Sequence, residues 1–136
     1  MKKTILLFIA LMAVLGSIIV TSNKSNATNI FVSTDKTNYS QGELMKLNFE
    51  INSEKPKQDI IVEIHAVKNK YNSYIINIFD KVNLSKGENF LNYTARIPYC
   101  SRCSGISAGE HEIVFRIFDS NENKTLLNKT QKIAII

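Results

Sequence analysis

Tryptophan is absent from the chain, and cysteine, histidine and proline occur twice each. The two histidines, His65 and His111, are far apart and lack a second metal-binding partner, so no His-x-x-x-His zinc pattern exists. Glycine is also sparse, at five residues, and no glycine-rich phosphate loop occurs. No nucleophile elbow or triad-like motif is present. The acids are scattered, with neither a paired-carboxylate nor a calcium-loop spacing. After Val20 no apolar run is long enough to span a membrane, and Ile133–Ile136 is far too short. Internal repeats and low-complexity blocks are missing as well. These absences exclude the common signatures of nucleotide binding, metallohydrolysis and acyl transfer, and no cofactor is expected.

What is there begins with a leader. Lys2 and Lys3 precede an apolar stretch from Ile5 to Val20, interrupted only by Gly16 and Ser17. A secretory core runs about 7–15 residues and a spanning helix about 20, and this stretch sits nearer the former. Ser25 and Ala27 stand at −3 and −1 of a cleavage after Ala27. Residues 1–27 are therefore expected to be an apolar helix, either a cleaved signal peptide or a retained N-terminal anchor. Both readings place the remainder outside the cytoplasm, secreted or at the cell surface.

The net charge of +5 arises largely in that leader. Lys2, Lys3 and Lys24 are three of 17 basic residues, so from Thr28 onward 14 basic residues face 12 acidic ones, leaving +2. Such a balance implies no nucleic-acid surface. Contact with a membrane is expected only through residues 1–27, if the leader is retained.

Residues 28–136 fit one domain, and their hydrophobic period is two. Met45, Leu47, Phe49 and Ile51 alternate with Lys46, Asn48 and Glu50. Ile60, Val62, Ile64 and Ala66 form the next inward set, followed by Leu91, Tyr93, Ala95 and Ile97, and then Ile113, Phe115 and Ile117. Weaker strands are read at Ile30–Ser33, Tyr74–Leu84 and Leu126–Ile135. Turn-forming clusters separate them, including Asn52–Lys57, Ser85–Glu88 and Asp119–Asn123. The pattern predicts an all-β fold, a single antiparallel sandwich of about seven strands.

Asn-X-Ser/Thr triplets begin at Asn23, Asn26, Asn38, Asn83, Asn92, Asn123 and Asn128. They matter only in an exported chain. The strand phase puts Asn83, Asn92 and Asn128 on polar faces and Asn38 and Asn123 in turns. Those five are the candidate N-glycosylation sites.

The segment Thr34-Asp35-Lys36-Thr37-Asn38-Tyr39-Ser40-Gln41-Gly42-Glu43, leading to Leu44–Leu47, resembles the start of macroglobulin-like and related prokaryotic Ig-like surface domains. Gly109-Glu110-His111-Glu112-Ile113, leading to Phe118-Asp119, is similar to a later strand of the same class, with His111 where an aromatic is usual. The Cys…Trp…Cys core of true immunoglobulin domains is absent. The resemblance covers most of residues 28–136 and implies an Ig-like sandwich. Such domains serve as spacers, adhesins and assembly modules, so no single activity follows.

Cys100-Ser101-Arg102-Cys103 is the one motif that could carry chemistry. In an exported chain a local disulfide between Cys100 and Cys103 is expected, stabilising by roughly 2 kcal/mol. Zinc would need two further ligands. A thioredoxin-like pair would need a helix N-terminus at the first cysteine, and no helical pattern follows. The expectation is a non-enzymatic secreted or cell-surface module that binds or spaces an envelope protein or glycan. The alternative is a small exported redox or metal-handling protein built on Cys100 and Cys103.

Overall fold

The computed structural model describes residues 28–100 and 105–136. The expected leader helix, Asn23, Asn26 and Cys103 lie outside the described residues. Among the described residues no helix is long and apolar enough to cross a membrane.

Among the described residues eight strands form: β1 (Asn29–Thr34), β2 (Asn38–Tyr39), β3 (Leu44–Ser53), β4 (Lys57–Lys68), β5 (Tyr74–Leu84), β6 (Gly87–Arg96), β7 (Gly109–Asp119) and β8 (Lys124–Ile135). They make two sheets, a three-stranded one in the order β1-β3-β6 and a five-stranded one in the order β2-β8-β7-β4-β5. The fold is all-β, as the period-two runs require. Two details correct the sequence reading. The count is eight rather than about seven, because the two-residue β2 is too short to show a period. The sandwich is also not wholly antiparallel, since β2 pairs parallel with β8 through Asn38↔Ala134 and Tyr39↔Ile135.

Strict alternation in β3 buries Met45, Leu47, Phe49 and Ile51 and exposes the residues between them. Val62, Ile64, Phe115 and Ile117 close the core from the other sheet. Phe49 sits at its centre, edge-on to both Tyr93 and Phe115 at 5.6 Å between ring centroids. Such pairs add about 0.5–1.5 kcal/mol each beyond burial. Leu91 and Tyr93, expected in the core, are only half-buried. They belong to β6, the edge of its sheet, and are shielded from one side only.

Polar cross-links stitch both open seams between the sheets. On one side the Tyr93 hydroxyl donates to Asp80 at 2.9 Å, joining β6 to β5. On the other, Gln131 Nε2 donates to Thr34 Oγ1 at 2.8 Å, joining β8 to β1. Burial first, and then the Asp80 carboxylate, push the Tyr93 phenol well above its ordinary value. Tyr93 therefore stays a neutral donor.

The alternation of β4 breaks near both of its ends, at Lys57 and at Val67, and the first break brings a charge inward. Between Lys57 and Ile60 the pairing of β4 with β5 slips, and Asp59 adopts φ +57°. This bulge moves the inward phase from position 58 to position 57. Lys57, expected in a turn, is instead a buried strand residue.

Candidate functional site

The Thr34–Glu43 segment is a latch. The Asp35 carboxylate accepts the Tyr39 hydroxyl at 2.7 Å and the Lys46 N–H at 2.9 Å through Oδ1. The Tyr39 hydroxyl also accepts the Lys36 N–H at 3.0 Å. Tyr39 is fully buried. Burial, and then its bond to Asp35, push its phenol up to about 12. The same hydroxyl holds the Asp35 carboxyl below its ordinary value. Glu43 pairs with Lys36 and accepts the Ser40 N–H at 2.8 Å. Gly42, at φ +78°, lies against the Tyr99 ring, where a Cβ would fall 2.4 Å from the hydroxyl oxygen. The spacing of this segment is thus the spacing of a structural clasp that ends β1 and launches β3.

At the far end of β7, Asp119 and Lys57 form a buried ion pair at 2.6 Å, with side chains 3% and 6% exposed. Glu122 completes it at 3.2 Å from Lys57, and Lys55 reaches Glu122 at 2.9 Å. The other Asp119 oxygen accepts the N–H groups of Asn121 and Glu122 at 3.1 Å each. Burial opposes the charge on Asp119, but the Lys57 hydrogen bond and the turn amides outweigh it, so its carboxyl lies below the ordinary value. Lys57 is likewise held above its ordinary value against burial by Asp119 and Glu122. No buried side-chain polar atom among the described residues is left unpartnered. The cluster is fully satisfied from within, which makes it a structural tie.

His65 is half-buried on the outer face of β4. Its Nδ1 meets Asn77 Oδ1 at 2.7 Å, and its ring lies tilted over Tyr74 at 5.4 Å. His111 Nε2 lies 2.7 Å from the Ser107 carbonyl oxygen. A carbonyl can only accept, so this nitrogen carries the proton and the ring pins the start of β7. His65 Nε2 lies 3.8 Å from Glu63 Oε2, but among the described residues no cluster of three metal-ligating groups occurs.

Cys100 is half-buried and donates its N–H to Gln41 Oε1 at 2.9 Å. It lines a cleft of about 730 Å³ together with Lys68, Lys70, Ile106 and Ser107. The expected pairing with Cys103 falls outside the described residues. Val67, fully buried just before the lining residue Lys68, has φ +56°, a strained value for a β-branched residue.

The five candidate acceptor asparagines, Asn38, Asn83, Asn92, Asn123 and Asn128, are all exposed. Asn38 corrects the sequence reading, for it lies in β2 rather than in a turn. Asn123 is in the β7–β8 turn, at φ +50°.

One feature of the surface was missed in the sequence. Phe31 in β1 is 69% exposed and Phe90 in β6 is 61% exposed. Register places them in one row across the outer face of the three-stranded sheet, Phe31↔Glu50↔Phe90. The row above is Asn29↔Asn52↔Glu88, and the row below is Ser33↔Asn48↔Asn92. Shallow hollows of about 150 Å³ and 180 Å³ flank the Phe31 ring. The signal was present in the strand phase: Phe90 is in step with Asn92 and Thr94, the wet positions of β6, and Phe31 stands between the inward Ile30 and Val32.

No protein-family model matches the chain, and no curated protein sequence matches it. Its fold does recur among solved structures. The alkylpurine DNA glycosylase AlkC of Pseudomonas fluorescens, bound to DNA with an abasic-site analogue, aligns with a TM-score of 0.56 at 14% identity. That alignment covers 79% of this chain but only 30% of the glycosylase chain. The C-terminal domain of Wzt gives a TM-score of 0.56 at 8% identity, covering 79% of this chain and 71% of that one. A CARDB domain from Pyrococcus furiosus gives 0.52 at 11% identity, covering 81% and 90%. A DNA glycosylase and two separate domains occur among these neighbours, so the likeness is one of architecture. At these identities the comparisons establish an all-β sandwich of the Ig-like type.

Proposed function

We propose that this chain is an exported, non-enzymatic Ig-like module of the prokaryotic surface class, one that holds or spaces envelope components. The observation that carries the reading is the outer face of the β1-β3-β6 sheet, where two phenyl rings stand in water on either side of Glu50. A closed core does not need them there, and exposed aromatic rings in one row are characteristic of a binding face. The Lys2-Lys3 leader and its apolar run support export. The buried charges support a scaffold, because Lys57 and Asp119 are engaged by each other within the fold. The test is fractionation of cells that make the protein. The chain is expected with membranes, or outside the cell beginning near Thr28. It is also expected to bind the envelope fraction in a manner lost on Phe31→Ala/Phe90→Ala. Cytoplasmic protein with Met1 intact would sink the reading.

A second reading rests on Cys100, whose place in the cleft beside Lys68 and Lys70 would suit a reactive thiol. Here Cys100 and Cys103 would act as an exported redox or metal-handling pair. Turnover in an insulin-reduction assay, or stoichiometric zinc lost on Cys100→Ser/Cys103→Ser, would favour it over the structural disulfide. Conversely, a folded double variant with unchanged envelope binding would leave the cysteines a staple.

A further inference from the structure

We infer that the outer face of the three-stranded sheet is a saccharide platform, with Phe31 and Phe90 as stacking rings for a neutral polysaccharide chain. This rests on the binding-module reading above and names the ligand class of that face.

The geometry comes from register. Phe31 and Phe90 both oppose Glu50, one on each flanking strand. Adjacent strands lie about 4.8 Å apart, so the two rings are anchored about 9.6 Å from each other, across the strands. A pyranose ring with its linkage advances by about one strand spacing, so a sugar chain lying across the strands would set alternate rings over the two phenyls. The apolar C–H face of a pyranose suits a phenyl ring, which offers a flat surface with a negative face.

The neighbours of the rings decide the ligand class. Glu50 lies between them, Asn29 and Asn52 are in the row above, and Asn48 and Asn92 are in the row below. A carboxylate accepts from vicinal hydroxyl groups, and amides both accept from and donate to them. None of the three rows carries a cation, and two carboxylates are present, so an anionic polymer or a phosphate is disfavoured. A protein partner is disfavoured by the same arrangement. Its dry interface centre would have to desolvate Glu50 between the two rings and bring a cation of its own to pair it, whereas sugar hydroxyls can hydrogen-bond a carboxylate that stays wet. Among the described residues the sheet ends at β1 and β6, so an extended chain can run across all three strands.

The test uses the full-length protein in native affinity electrophoresis through gels containing β-1,4-glucan, β-1,4-mannan, β-1,4-xylan or β-1,3-glucan, with heparin as an anionic control. Retardation is expected in at least one neutral gel and not with heparin. Phe31→Ala and Phe90→Ala should each weaken binding by roughly three- to tenfold, and together abolish retardation. Phe79→Ala, which removes an equally exposed ring of the other sheet, should leave it unchanged. Both ring positions are exposed, so the urea midpoint of the double variant should match that of the wild type.

Several results would overturn the proposal. One is no retardation in any neutral gel, and another is retardation that the double variant keeps. A third is a dimer that dissolves on Phe31→Ala/Phe90→Ala, which would give the face to a second copy of the chain. A fourth is a glycan found on Asn92 by peptide mass spectrometry, whose removal by Thr94→Ala uncovers no saccharide binding. That result would make the rings a bed for the chain's own sugar. If the double variant loses envelope binding while every neutral gel is negative, the binding face stands and the saccharide assignment falls.

Discussion

The two polar ties of this sandwich are built from similar chemistry but on different length scales. Asp35 and Tyr39 are four residues apart and close on each other within one turn of chain. Lys57 and Asp119 are 62 residues apart and meet only when β4 pairs with β7. The local tie leaves a readable spacing, because both groups must stand at fixed offsets along the same segment. The distant tie leaves none, because its partners are brought together by sheet pairing and by a bulge. The difference also reaches energetics. Tyr39 brings a neutral hydroxyl to a solvated carboxylate, whereas Lys57 and Asp119 are two charges taken out of water together. Losing one member of the second pair strands the other.

The sharpest way to break the comparison is Lys57→Met. It should destabilise the domain by about 3–5 kcal/mol, the usual consequence of removing one member of a buried ion pair. Domains of this size have only about 5–15 kcal/mol in total. Lys57→Met/Asp119→Asn should recover part of the loss, since the substituted amide's oxygen can still accept the Asn121 and Glu122 N–H groups while carrying no charge. Urea midpoints of the wild type, both single variants and the double variant give the coupling. Additive losses would show that the pair is not the tie described.

The same pair has a pH signature. The Asp119 carboxyl is held below its ordinary value of 3.8 in the folded state. Its contribution is therefore present above that value and is lost as pH falls through the lower folded value. Wild-type stability should drop in acid below about pH 4. In Lys57→Met the sign reverses, because burial without the cation raises the Asp119 pKa. Lowering the pH should then relieve part of the penalty. Parallel acid limbs in wild type and variant, followed by urea midpoint against pH, would refute the assignment.

How much of the molecule is legible from its residues follows the same division. The sequence places β5 at Tyr74–Leu84, and those are its bounds. The alternation of β3 and the inward set of β7 also appear in the core as expected. These are local patterns, fixed by a side-chain period of two. The inward phase of β4 fails at both ends: before Ile60, where one inserted residue turns Lys57 inward, and at Val67, which is buried next to Ala66 at φ +56°. A bulge has no period of its own, and a lysine beside Pro56 reads as a turn. β2 is hidden by its length, and its parallel pairing with β8 joins segments nearly a hundred residues apart. The phenyl row is half-visible. Each ring sits on a wet phase in its own strand, but that Phe31 and Phe90 share one row depends on both being paired with β3.

The smallest expected effect sharpens the local tie. Tyr39→Phe keeps the buried ring and removes only the hydroxyl. Asp35 retains the Lys46 N–H and stays exposed to water, so little desolvation is stranded. The expected loss is about 1–2 kcal/mol, typical of one hydrogen bond to a charged group in a half-solvated site. Its pH dependence runs opposite to that of Asp119. The Tyr39 phenol titrates near 12 when folded, above its ordinary 10.0. Its stabilising contribution is full below pH 10 and is lost as pH rises toward 12. Tyr39→Phe should thus fall short of the wild type at neutral pH and draw level with it at the alkaline end. A gap that stays constant across the alkaline limb would mean that the hydroxyl does not hold Asp35. The spacing from Thr34 to Glu43 would then need another cause.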